Sequence, residues 1–338
     1  MQHEITERKK LLGPNGDILE PGYAKRLLWD YRRADIKAGR LRIKEWDYYY
    51  IGNDDFGVAL TIADNSYMGL ISASLLDFRV PTEKTVSVME AFPMGKYRLP
   101  ETSQQGDTMF GNKRVQMAFS VKPGKRTISC RFGDFLNGET LELAIELEEP
   151  DMESMVIATP FGKPKHFYYN QKINCMPASG RATLGDKSYE FTPDTSFGAL
   201  DWGRGVWTYD NTWYWGSGSG RVNGEPFGFN IGYGFGDTSA ASENMLFYRN
   251  KAHKLNQVQF NIPDDSYTKP WTFTSDDGRF EMDFAPVIDR QNLTNALVIM
   301  TDQHQVFGRF TGKAVLDDGT VIELDNFMGF AEKVRMKY

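Results

Sequence analysis

Within TLELAIELEE (Thr140–Glu149), Leu141, Leu143, Ile145 and Leu147 stand two residues apart. That spacing puts all four on one face of a β-strand and turns the acidic residues between them to the other face. A helix repeats every 3.6 residues and cannot separate them this way. RFEMDF and TVIELDNF alternate similarly, and each follows an Asp-Asp-Gly turn, Asp276–Gly278 and Asp317–Gly319. SASLLDF (Ser72–Phe78) and ASENMLFY (Ala241–Tyr248) read as short helical turns or as strands. The chain is expected to be nearly all β. An aromatic content of 14% and 32 Gly fit strands and tight turns.

At 338 residues the chain is long for one compact core. A faint internal echo suggests how it divides. The stretch from Trp46 and the stretch from Trp213 both run aromatic cluster, turn, long strand, Ser-containing bend, apolar-aromatic strand. The expectation is two similar β units, residues 1–160 and 161–338, meeting near PFGKPKHF (Pro160–Phe167), where Pro and Gly interrupt the pattern.

DWGRGVWTYDNTWYWGSGSG (Asp201–Gly220) holds four of the seven tryptophans. Asn223-Gly224 just beyond it is a strong hairpin signal. A loop centred there pairs Gly220 with Phe227, Gly218 with Phe229, Gly216 with Ile231, Trp215 with Gly232 and Trp213 with Gly234. Large side chains would then cover glycines across the hairpin. The same device leaves volume beside indole rings, which in a barrel makes a ligand cavity. The Gly-Ser run lies inside a strand pattern with no helix after it, so it is not a phosphate loop. It also lacks the nucleophile-elbow spacing.

A net charge of −6 without a basic block argues against nucleic-acid binding. Cys130 and Cys175 signal neither a disulfide framework nor zinc, and the four histidines have no ligand spacing. Neither a metal nor a cofactor is expected. No apolar run approaches membrane-spanning length and no signal core opens the chain, so a cytoplasmic protein is expected.

LLGPNGDILEPGYAKRLLWDY, KEWDYYYI, LLDF, DWGRGVWTYDNTWYWGSGSG and VFGRFTGKAVLDDGTVIELDNFMGFAEKV together resemble the bacterial family catalogued as domain of unknown function 2804. That family resembles, more distantly, the carotenoid hydratase (hydroxyneurosporene synthase) group with its tocopherol-cyclase-like members. The resemblance implies two lipocalin-like (calycin-type) antiparallel β-barrel or sandwich units in tandem. It also implies long apolar isoprenoid substrates, hydrated or cyclised after protonation of a double bond. EWDYYY from Glu45 resembles the Glu-Trp-Trp-Tyr strand of that group, with Asp47 in place of the second Trp. Gly205-Val206-Trp207 resembles the lipocalin Gly-x-Trp, whose indole is covered by a basic residue of the last strand, here Arg335.

Three readings of function stay open: an apolar-ligand binder, a cofactor-free hydratase, isomerase or cyclase, and a structural protein with filled barrels. The first two place an apolar cavity in the second unit. Trp46, Tyr48, Trp207, Trp213, Trp215 and Tyr233 are its expected ligand-binding residues. A carboxyl among aromatics can stay protonated and act as an acid. Asp201 and Glu243 are the candidate donors, with Arg204 orienting Asp201; Asp77 interrupts LLDF and Glu332 ends GFAE. The structural alternative is that Asp201 pairs with Arg204 or caps a turn. Oligomeric state is not legible.

Overall fold

The computed structural model describes residues 2–296 and 299–338. Among these the regular structure is β, with two single-turn 3-10 segments, Arg33–Asp35 and Arg40–Arg42. The ambiguous segments resolve as strands: SASLLDF lies in Met68–Asp77, and MLFY is the strand Met245–Tyr248.

Two large curled antiparallel sheets carry the fold, which is lipocalin-like. In the first, the main path runs Thr82–Ala91, Met68–Asp77, Phe56–Asp64, Lys44–Gly52, Phe197–Val206, Phe167–Leu184, Glu139–Glu148, Lys125–Leu136, Val115–Lys122 and Gly106–Gly111. In the second it runs Lys251–Lys254, Met245–Tyr248, Glu225–Tyr233, Asp210–Val222, Val321–Lys337, Ile299–Val315, Phe280–Ala296, Trp271–Ser275 and Val258–Asn261. The chain passes from one sheet to the other between Val206 and Asp210. Phe167–Leu184 and Phe197–Val206 therefore pair within the first sheet, beyond the Pro/Gly interruption near 160.

Curvature has identifiable sources. Pairing slips by a bulge between Ile173 and Met176, where Cys175 takes φ +60°, and between Phe310 and Gly312. Such bulges bend and twist the strands that carry them. Leu141, Leu143, Ile145 and Leu147 all face the first sheet's core, as their spacing requires. Phenylalanine is the commonest residue of the second core, with Phe229, Phe284 and Phe310 packed edge to face or tilted.

The internal echo has a structural counterpart. Lys44–Gly52, Phe56–Asp64 and Met68–Asp77 form one meander, and Asp210–Val222, Glu225–Tyr233 and Met245–Tyr248 form another. The hairpin at Asn223-Gly224 has the expected register from Val222–Glu225 to Tyr214–Tyr233, and the ladder stops before Trp213 and Gly234. The covering of its glycines differs from expectation in part. Phe229 does cover Gly218, where an added Cβ would lie 2.6 Å from the ring. Gly220 is covered instead by Phe327, and Gly232 is crowded by the Tyr214 carbonyl rather than by the Trp215 ring.

Candidate functional site

The inner strand Phe197–Val206 decides which side chains meet. Side chains alternate along it, so Asp201 and Arg204, three residues apart, point to opposite faces. Arg204 faces the first sheet's own core. It is fully buried and donates to the carbonyls of Trp46, Gly203 and Pro100 at 2.7, 2.8 and 2.9 Å. It pairs with Asp47 at 3.0 Å and lies 4.2 Å from the Trp202 ring. The expected Asp201–Arg204 pair is therefore not formed, and Arg204 does not orient Asp201.

Asp201 faces the other sheet. Its cross-strand neighbours are Lys172 and Tyr48, and the row continues through Thr61, Ser72 and Ser87. The second sheet presents a matching row of Trp215, Glu332, Gln305 and Arg290. The two rows face each other across a cavity of about 480 Å³. This cavity lies between the sheets rather than inside the second unit, and its wall is mixed rather than apolar.

One part of the wall is aromatic. Trp46, Tyr168, Trp207, Trp213 and Phe235 line it together with Trp215. Trp46 stacks on Tyr168 at 6.0 Å and meets Trp207 edge-on at 5.4 Å. Gly203 makes this possible, because a Cβ there would overlap the Trp46 ring. Of the expected ligand-binding residues, Trp46, Tyr48, Trp207, Trp213 and Trp215 line the cavity. Tyr233 does not; it stacks on Tyr214 at 4.5 Å beside Phe260.

Four ionisable side chains converge on the aromatic wall. Lys172 pairs with Asp201 at 3.0 Å and sits 3.8 Å from the Trp215 ring centroid. Asp201 also accepts the Asn170 amide at 2.6 Å, so its carboxylate is engaged on both counts. Glu332 accepts hydrogen bonds from Trp213 Nε1 at 3.1 Å and Gln305 Nε2 at 3.0 Å. Burial pushes its carboxyl up to about 7. Glu243 lies on the loop before Met245–Tyr248. Its carbonyl accepts from Asn230 Nδ2 at 2.8 Å, while Asn230 Oδ1 holds Trp215 Nε1 at 2.7 Å. Among the described residues nothing donates to the Glu243 carboxyl, which burial pushes up to about 6. The loop itself is braced by Lys254, which donates to Ser242 Oγ and the Asn244 carbonyl at 2.7 and 2.8 Å.

Lys172, Gln305, Arg290 and Phe235 were not anticipated. A lysine inside the apolar-aromatic run FYYNQKINCM was the one available signal. Arg335 does not cover Trp207; it forms an exposed pair with Asp210 at 3.0 Å. The cation near that indole is Lys44, whose ammonium lies 5.2 Å from the Trp207 ring and 4.2 Å from that of Tyr338. Asp77 lies outside the cavity and pairs with Arg79 at 3.0 Å.

A wider hollow of about 750 Å³ opens along the strands from Gly106 to Glu148. Its charged lining residues are Arg131, Glu142 and Arg181, the first two forming an exposed pair, and burial raises the thiol of its buried Cys130. Among the described residues no three His, Cys, Asp or Glu gather as a metal shell, and no helix is long and apolar enough to cross a membrane.

Comparison with solved structures supports the fold. Kievitone hydratase from Nectria haematococca superposes with a TM-score of 0.52 at 10% identity, over 87% of this chain and 88% of that one. CghA crystallised with Sch210972 superposes with a TM-score of 0.52 at 9% identity, over 97% and 96%. No curated protein matches the chain significantly in sequence. The family described as Domain of unknown function (DUF2804) matches residues 2–338, and the chain belongs to that family.

Proposed function

We propose that the inter-sheet cavity binds a small, largely apolar, unsaturated molecule, isoprenoid- or lipid-like, and catalyses proton transfer to it, as a hydratase, isomerase or cyclase would. The observation that carries this reading is the pair of buried carboxyls on one aromatic-walled cavity, Glu332 at about 7 and Glu243 at about 6. Burial raises both carboxyls toward neutrality, so each can hold or take a proton there, as acid–base catalysis requires. Glu332 is the donor. The N–H groups of Trp213 and Gln305 point at its carboxyl and stabilise the charge left when its proton departs. Protonation of an alkene carbon leaves a carbocation, which indole faces stabilise. Glu243, whose carboxyl has no donor among the described residues, takes a proton from the attacking water or from the adjacent carbon. In hydration the C=C π bond breaks, C–H and C–O bonds form, and the water proton passes to Glu243. Lys172 and Asp201 stay paired between them and keep the local charge balanced.

The structural likeness to a hydratase supports the fold this chemistry would use. The test is incubation in D₂O with a panel of isoprenoid alcohols and unsaturated fatty acids, read by mass spectrometry and NMR. Deuterium at carbon with the wild type, lost in Glu332→Gln while binding persists, is the expected result. Binding without carbon-bound deuterium in any compound would remove the chemistry and leave a carrier.

A further inference from the structure

The cavity has two unlike ends, and the far end carries hydroxyls, the Arg290 cation and, at the rim, Glu83. Thr61, Ser72, Thr85 and Ser87 line it from the first sheet, and Arg290 enters from the second. Arg290 Nη1 donates to Ser74 Oγ at 2.7 Å, the one hydrogen-bond partner of its guanidinium among the described residues. Among the described residues no carboxylate lies within ion-pair distance of it. Asp289, next in the chain, turns to the opposite face and holds His304 at 2.8 Å. Glu83, at the cavity rim, accepts the Thr85 hydroxyl at 3.0 Å instead. Asp201 is taken by Lys172, and Glu332 by Trp213 and Gln305. A planar guanidinium with most of its donors unused, facing a cavity beside hydroxyls, is shaped for bidentate recognition of an oxyanion.

We propose that Arg290 is an oxyanion-binding site, so that the ligand is an amphiphile with a carboxylate or similar acidic group at Arg290 and an unsaturated apolar body against Trp46, Trp207 and Trp213. This rests on the ligand-binding reading above and names its substrate class. The apolar body then lies against the indoles, with Glu332 between it and Arg290 in the row Glu332, Gln305, Arg290, and the anion fixes which carbon meets the acid.

Two fluorescent probes differing by one group test it: 8-anilinonaphthalene-1-sulfonate and its uncharged counterpart N-phenyl-1-naphthylamine. The wild type should bind the sulfonate more tightly, on the order of tenfold. Arg290→Gln should erase that preference and leave the uncharged probe unchanged, and Arg290→Lys should restore part of it. Inorganic sulfate, which has the charge without the apolar body, should not displace the sulfonate probe at equal concentration. Equal binding of both probes by the wild type, or equal weakening of both in Arg290→Gln, would overturn the oxyanion site alone. Efficient displacement by inorganic sulfate would overturn the amphiphile. Failure of the wild type to bind either probe would overturn the cavity reading as well.

Discussion

The Lys172 ammonium, carried by the first sheet, lies 3.8 Å from the centroid of the Trp215 ring, carried by the second, while bonded to Asp201 at 3.0 Å. One buried cation thus joins the two sheets at the floor of the cavity. Removing it leaves the Asp201 carboxylate buried without its counter-ion. Lys172→Met should destabilise the protein by about 3–5 kcal/mol, and adding Asp201→Asn should recover most of that loss. Urea unfolding of the single and double variants checks the coupling.

Glu332 and Glu243 make stability depend on pH. Both carboxyls are raised by burial, so folding favours their protonated forms. Their stabilising effect is complete below the ordinary glutamate range near pH 4.5 and is lost as pH rises through about 6 and about 7. At pH 8 the ionised Glu332 costs on the order of 3 kcal/mol. Glu332→Gln should therefore raise the melting temperature at pH 8 and change it little at pH 5. Thermal unfolding across that range reads the difference.

Gly203 is the position that admits the Trp46 ring into the wall. Gly203→Ala should push that indole aside, at about 1–3 kcal/mol. A loss of near-ultraviolet circular dichroism with intact far-ultraviolet signal would mark a local repacking.

Trp215 packs edge-on against Phe330 at 4.8 Å and Tyr48 at 5.9 Å and donates to Asn230. Trp215→Ala should cost about 3–5 kcal/mol in folding. It should also weaken N-phenyl-1-naphthylamine binding at least several-fold under conditions where the variant stays folded, measured by fluorescence titration.

The sheets were legible because alternation is local. Leu141 to Leu147 declare a buried face without any tertiary information, and Asn223-Gly224 sets a register across adjacent strands. The indole cluster was legible as a wall for the same reason. The site's pairings were not. Lys172 lies opposite Asp201 only because Phe167–Leu184 and Phe197–Val206 pair around a bulge, and closeness in sequence pointed to Arg204 instead. Strand parity alone separates Asp201 from Arg204, so that part could have been read. Arg290 and Gln305 reach the cavity because the second sheet faces the first, which no local pattern encodes.

The most direct test is the native mass spectrum of the Glu243→Gln/Glu332→Gln protein freshly purified from cells, beside the same protein carrying Ala63→Trp. Ala63 lines the cavity next to Trp46, so an indole there would fill the space. The disabled protein should retain an apolar small molecule that organic extraction removes, and the filled variant, folded by circular dichroism, should carry none. A disabled protein with no bound molecule, or the same molecule bound equally to both, would contradict a ligand in the inter-sheet cavity.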